Sequence, residues 1–447
     1  MLVILHGWSD SYSSFRDLAK RLANPPPDGI SAEVADIHLG DYISLDDQVT
    51  FADLVAALDR AWDDRGLPRT PKSVDAIVHS TGGLVIRDWL RRFAPDCRPI
   101  HHLLMLAPAN FGSPLAHTGR SVIGRAVKGW KGSRLFETGA QILKGLELAS
   151  SYSWELAEQD LFNADAPLGD GNLLCTVLVG NSGYSGIAAV ANKPGTDGTV
   201  RVSTANLQAA RMLIDFSQQP DAAPRIDYQE AQAQGLAFAV VDGEDHSSIT
   251  AKGRGTRESM TWSLICGALM VPDSGFADWR QRLAEHTDEV SRAASQRDGD
   301  HYNAYQSTVI RVMDDQGAAV TDYIIEFYFN DDKTRRDRRL TRLVQEDVIS
   351  SVHVYSQARH YRSLLVNCDR LQALYERPED RLYVSITACP ELADNKVGYR
   401  TYRDTDIGAL VLDVDQARDL FRPHRTLLMT LCLKRYQQAD VFGFKDV

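Results

Sequence analysis

The chain is 447 residues long, 44% hydrophobic and 24% charged, the balance of a globular protein of two or three domains. A net charge of −11 and an isoelectric point near 5.6 exclude the basic face of a general nucleic-acid binder, and no run approaches the ~18 apolar residues that span a bilayer. Six scattered cysteines form no C-x-x-C pair and read as buried free thiols.

In chain order, Leu2 to Leu5 reads as a buried strand. It leaves no room for a cleaved signal peptide before it and makes a cytoplasmic location the default, with signal-independent export left open. Thr50 to Trp62 reads as a helix, with Phe51, Leu54, Val55, Leu58 and Trp62 on one face and Thr50 with Asp53 as its N-terminal cap. Val74 to Val78 is a strand, Gly82 to Phe93 a helix, and His102 to Ala107, Leu173 to Val179 and Leu236 to Val241 are further strands. Buried strands alternating with helices predict an α/β fold, a mostly parallel sheet covered by helices on both faces.

Residues 113–150 break the rhythm. Arg120, Arg125, Lys128, Lys131, Arg134 and Lys144 face only Glu137 and Glu147, a basic segment in an acidic protein, and apolar residues recur there at helical intervals. A helical insertion with a solvated charged face is the plain reading. A lid over residues 113–170, apolar toward a site and basic toward anionic lipid, is the sharper one.

Val271-Pro272-Asp273-Ser274-Gly275 ends a first domain at about residue 272, and 273–300 reads as a helical linker. Over 301–447 the pattern changes to short runs rich in Val, Ile, Thr, Tyr and Phe: Ser307 to Met313, Tyr323 to Phe329, Leu382 to Thr387, Leu410 to Leu412 and Thr426 to Leu433. Asp314-Asp315-Gln316-Gly317 is a turn signal, and the whole suggests a smaller β-rich, sandwich-like domain. Its role and any protein partner are open.

The chemistry gathers in the first domain. Val78-His79-Ser80-Thr81-Gly82-Gly83 joins a strand to a helix with a serine at the turn, the arrangement of a nucleophile elbow. A serine hydroxyl attacks well only when it is exposed, held and bonded to a base. Val78 stands where the usual pattern has glycine, and the alternative for Ser80 is a helix cap. The base should follow a late strand, which points to His246 on the polar loop Asp242 to Ser248, expected to be exposed there. His79 is adjacent to Ser80 but should point elsewhere, and His101 and His102 read as structural. The acid should come between serine and histidine. Asp197 in Gly195-Thr196-Asp197-Gly198 is the choice, Asp215 the reserve, and an ordinary D-G turn the alternative. The backbone N–H of Thr81, and that of Trp8 after Leu5-His6-Gly7, are the expected oxyanion donors. No zinc or nucleotide motif is present, and no cofactor or metal is expected.

With these residues in place the chain resembles the α/β-hydrolases of the bacterial lipase and esterase type. The match is carried by His6-Gly7-Trp8, the elbow apart from Val78, Ala107-Pro108-Ala109-Asn110-Phe111-Gly112-Ser113-Pro114, Asp197-Gly198-Thr199-Val200 and Asp245-His246-Ser247-Ser248. The PGAP-like hydrolases and bacterial phospholipase effectors share much of this set. The resemblance covers about residues 1–270 and implies hydrolysis of lipid or acyl esters. Many such lipases hold calcium near the histidine, with acidic residues after it; Ser247 and Ser248 follow here, so calcium is not carried over. An acyltransferase or amidase on the same triad, or a binding protein on a hydrolase scaffold, is the alternative.

Overall fold

The computed structural model describes the chain except for residues 8–14, 25, 28, 32, 45, 96–97, 117–138, 164–167, 169–172, 218–223, 232–234, 251–258, 298, 331–337, 389–396, 400–410 and 438–447. It divides into two units, Met1–Ala209 with Glu230–Asn303, and Ala210–Gln229 with Ala304–Val447.

The first unit is built on strands β1 (Leu2–Leu5), β2 (Val34–Ile37), β3 (Val74–His79), β4 (Ile100–Leu106) and β5 (Leu174–Gly180), together with Leu236–Val241. They form one sheet in the order β2-β1-β3-β4-β5 and then Leu236–Val241, every pair parallel. β1 and Leu236–Val241 are fully buried, as strands covered on both faces must be. Helices α1 (Arg16–Ala23), α2 (Phe51–Asp64) and α3 (Gly82–Arg92) join the first strands. The expected cap of α2 is present: the Asp53 N–H donates to Thr50 Oγ1, and the Thr50 N–H donates to the Asp53 carboxylate.

The helix Phe276–Ala294, read from sequence as part of a linker, is an integral layer of this unit. Phe276, Trp279 and Leu283 sit in the core beside Ala237, Ala239 and Val241. Thr287 Oγ1 accepts the Val240 N–H, and Trp279 Nε1 donates to Thr176 Oγ1. Most of the expected lid lies outside the described residues. Of 113–170, the structure describes 113–116, 139–163 and 168, which include the helices Ala140–Leu146 and Ser151–Asp160.

Residues 210–229, which the sequence reading left in the first domain, form β6 (Ala210–Asp215) and β7 (Arg225–Glu230) of the second unit. With Leu236–Val241 as β8, the later strands are β9 (Tyr305–Asp314), β10 (Tyr323–Phe329), β11 (Ile349–Val354), β12 (Tyr361–Asn367), β13 (Leu382–Ala388), β14 (Val397–Tyr399), β15 (Val411–Leu412), β16 (Thr426–Leu433) and β17 (Arg435–Gln437). One sheet runs β11-β12-β9-β16-β6-β7, another β10-β13-β15, and β14 pairs with β17. Ile214, Ile310, Val312 and Leu431 of the first meet Tyr323, Val384 and Ile386 of the second in a common core, the two-layer packing of a sandwich. β16 is parallel to both β9 and β6, so this unit is β-rich but not wholly antiparallel.

Candidate functional site

The site grows from the end of β3. The chain passes from strand to helix α3 in two residues, and Ser80 takes φ +54 to make the turn, a left-handed backbone that costs a non-glycine residue free energy. Three bonds hold it there. The Ser80 N–H donates to Leu106 O at 3.2 Å, and Ser80 O accepts from Gly83 N at 3.1 Å and Ala109 N at 3.2 Å. Val78 is fully buried in the strand and does not crowd this turn. The tightest approach falls on Gly83, where a Cβ would lie 2.7 Å from Pro108 Cβ. At Gly82 it would meet Leu5 O at 3.4 Å and Val78 Cβ at 3.6 Å, ordinary contacts.

Asp197 and His246 come to Ser80 from loops after β5 and β8. His246 Nε2 lies 3.1 Å from Ser80 Oγ, and His246 Nδ1 lies 2.9 Å from Asp197 Oδ2. The other oxygen, Asp197 Oδ1, accepts the N–H groups of Thr199 at 2.9 Å and Val200 at 2.7 Å. Those amides compensate for burying a carboxylate completely. The D-G turn that aims them needs its glycine: Gly198 has φ +96, and a Cβ there would stand 2.6 Å from the Tyr184 ring. The D-G turn and the carboxylate position are therefore one and the same feature.

His246 is 3% exposed, not exposed as its polar loop suggested. Its backbone is pinned on both sides, the N–H donating to Asp197 O at 2.8 Å and the carbonyl lying 2.9 Å from His79 Nε2. His79 thus contacts the backbone of His246 and lies tilted against its ring, with centroids 4.6 Å apart. The loop has a second anchor that sequence reasoning missed. Glu244, buried, accepts from Ser248 Oγ and from Thr261 Oγ1, the latter at 2.6 Å.

The Thr81 N–H opens helix α3, where the first amides have no partner within the helix. Trp8, the other expected oxyanion donor, lies outside the described residues. The reserve acid Asp215 ends β6 in the second unit's sheet. His102 is structural: burial opposes its charged form, but Nδ1 at 2.7 Å from Asp75 and Nε2 at 2.8 Å from Val271 O outweigh that and raise its pKa.

Arg87, one turn and a half along α3, is the largest feature that periodicity hid. It is fully buried and pairs with Asp160 through Nε at 2.7 Å and an Nη at 2.9 Å, while its other Nη reaches Asn110 O and Oδ1 at 3.3 Å. Asn110 Nδ2 donates to Ala205 O at 2.7 Å. The elbow helix, the loop after β4 and the helix Ser151–Asp160 are tied together behind Ser80.

No protein-family model and no curated protein sequence matches the chain. Among solved structures it is similar to phospholipase PlaB from Legionella pneumophila, with a TM-score of 0.82 and 23% identity over 100% of this chain and 96% of that one. It is equally similar to that phospholipase in complex with thio-NAD, with a TM-score of 0.82 and 22% identity over the same shares of the two chains. At this identity the likeness speaks for the fold, and it runs through both units. In fold, the chain matches that phospholipase over its whole length: an α/β-hydrolase fold that carries a β-rich second unit.

Proposed function

We propose that the chain is a serine hydrolase of carboxylic esters in lipid or acyl substrates, with Ser80 as nucleophile, His246 as base and Asp197 as the acid that orients it. One observation carries this reading: a serine held at φ +54 between strand and helix, with an imidazole nitrogen 3.1 Å from its Oγ and a buried carboxylate 2.9 Å from the other nitrogen. A helix-capping serine needs neither the strained backbone nor the second bond.

In this mechanism His246 Nε2 takes the Ser80 proton as Oγ attacks the acyl carbonyl. The imidazolium is stabilised by Asp197 and then protonates the leaving alcohol. Water, losing its proton to His246, attacks the acyl-enzyme; the acyl–Oγ bond breaks, His246 returns the proton to Ser80 Oγ, and the acid is released. The Thr81 N–H is one donor to the oxyanion and that of Trp8 the other; each such donor is worth about 3–4 kcal/mol in the transition state. The fold neighbour is a phospholipase, so a phospholipid acyl ester is the substrate class to try first. Residues 113–170 would be the lid that shields the acyl chain and touches the lipid surface. Among the described residues no helix is long and apolar enough to cross a membrane.

The test is turnover of p-nitrophenyl esters from acetate to palmitate and of phosphatidylglycerol vesicles, by wild type and Ser80→Ala, with fluorophosphonate labelling alongside. Turnover and label are both expected to vanish in the variant. Equal turnover by the two proteins would end the proposal.

A further inference from the structure

The face of the sheet beside this site carries a second cluster that hydrolysis does not use. β1 and β2 are parallel with Leu5 opposite Ile37, so the next residues, His6 and His38, stand abreast. Their rings lie 3.6 Å apart between centroids. Asp36 and His38 are two residues apart on extended chain and so point to the same side. Asp36 lies between the two imidazoles, one oxygen at 2.5 Å from His6 Nε2 and the other at 3.3 Å from His38 Nε2. One donor atom from each residue falls within 4.8 Å of the other two.

We propose that His6, Asp36 and His38 form a binding site for a divalent transition metal of the zinc class. The donor set fits. Two imidazole nitrogens and a carboxylate are the nitrogen and oxygen ligands zinc takes at about 2.0–2.2 Å, which puts neighbouring ligand atoms in a tetrahedron about 3.3 Å apart. The pair His38 Nε2 and Asp36 Oδ2 has that separation already, and His6 Nε2 meets the other carboxylate oxygen, so a small rotation of the carboxylate brings one oxygen to both imidazoles. The surroundings fit as well. His6 and His38 are 1% and 6% exposed, with the Phe15 ring edge-on against His6, whereas the Asp36 side chain is 37% exposed. The ion would be walled by the protein on the imidazole side and open to water at its fourth position.

The position gives the site a consequence. In sequence His6 directly precedes Gly7 and Trp8, the residue whose N–H the proposed hydrolase uses for its oxyanion, and an ion there would fasten the end of β1 to β2.

The experiment uses the full-length chain stripped with EDTA, titrated with zinc by calorimetry and with cobalt(II) by visible absorption. Wild type is expected to bind one zinc per chain, to gain the visible bands of four-coordinate cobalt(II), and to melt at a higher temperature with zinc present. Removing a supporting partner of a metal ligand already costs 10–100-fold in affinity, so removing a ligand should cost at least about 100-fold. His38→Gln and Asp36→Asn are both expected to show that loss. Asp36→Asn keeps the side-chain shape at a partly exposed position and reports even where His38→Gln folds poorly. His101→Gln, in the separate cluster of Asp75, His101 and His102, should bind as wild type. No zinc uptake by the wild type, unchanged affinity in the two ligand variants, or loss only in His101→Gln would each overturn the proposal. Because the readout is metal binding, its failure leaves the hydrolase reading untouched, and loss of ester turnover in Ser80→Ala says nothing about the metal.

Discussion

Asp197 offers the sharpest test of the site, because its two oxygens do different work. Oδ2 faces His246 Nδ1, and Oδ1 accepts two backbone amides. Asp197→Asn can keep its oxygen on the Thr199 and Val200 amides and turn its amide nitrogen to the imidazole. An NH₂ donor opposite Nδ1 forces the proton onto Nε2, the tautomer that cannot accept from Ser80. A loss of about 10⁴ in kcat is expected, as in other triads with this change, or about 5.4 kcal/mol at 1.36 kcal/mol per decade. The fold should barely notice, because every buried donor keeps an acceptor. Asp197→Ala differs: it abandons two buried N–H groups at about 1–3 kcal/mol each and should cost ~2–6 kcal/mol of stability. Ester turnover gives the first quantity and urea unfolding monitored by tryptophan fluorescence the second. Two variants equally slow but unequally stable are expected. If Asp197→Asn turns over within tenfold of wild type, the carboxylate is not orienting the base and the triad reading fails. If the two variants unfold at the same urea concentration, the amide account is wrong.

Three further outcomes follow from packing and charge. Gly83→Ala, whose Cβ meets Pro108 at 2.7 Å, should lower stability by about 1–3 kcal/mol through overpacking and slow turnover by shifting the segment that bonds Ser80 O; Gly82→Ala should be milder on both counts, and thermal melts with ester assays compare them. Arg87→Met leaves Asp160 buried and unpaired and should cost ~3–5 kcal/mol, while Arg87→Met with Asp160→Leu should recover most of it, measured by urea unfolding. In the second unit, burial pushes the pKa of His424 down to about 4. The unfolded chain takes up a proton near 6.5 and the folded chain does not, so stability should fall as pH drops from about 6.5 to 4, by at most ~1.4 kcal/mol per unit, and level off below. His424 has φ +58, a conformation asparagine tolerates, so His424→Asn should fold and give a flatter unfolding-midpoint curve over that range.

What could be read from sequence was what local pattern encodes. The buried runs at Leu2, Val74, His102, Leu173 and Leu236 are strands because each is apolar on both faces, and their spacing leaves room only for the crossovers of a parallel sheet. The elbow was legible because a sharp strand-to-helix turn needs small residues at fixed positions. Val78 departs from that pattern without loosening the turn, since the crowding lies at Gly83. β6 and β7 were not legible. Their sequences, Ala-Arg-Met-Leu-Ile-Asp and Arg-Ile-Asp-Tyr-Gln-Glu, are half-buried and exposed, so no apolar run announces them. β6 pairs with β16, more than two hundred residues later, and β7 lies beyond β6 at the sheet edge; no local signal states a partner at that distance. The helix Phe276–Ala294 looked like a linker for a related reason: its charged face is visible in sequence, but its pairing with the strand Leu236–Val241, whose face its apolar side covers, is not.

The same division runs through the functional residues. Ser80, Asp197 and His246 could be proposed one by one because each sits in a loop with its own turn chemistry, and chain order supplied the rest; the structure brings the three side chains within hydrogen-bonding distance. The side chains that hold them were missed. Arg87 was not singled out, because nothing in the local pattern of its helix marks an arginine as buried; it is buried because Asp160 and Asn110 satisfy it. His246 was expected in solvent because its loop is polar. The polarity is inward: Asp197, His79 and the Glu244 hydroxyl network consume it, and an imidazole so enclosed is held in one orientation. His6, Asp36 and His38 are the extreme case. Each is unremarkable alone, thirty residues separate the first from the others, and only the register of two parallel strands makes them a set. A ligand cluster formed by register carries no spacing motif, so the absence of one in the sequence argues nothing against a metal. The structure is where such a site first becomes a question that can be asked.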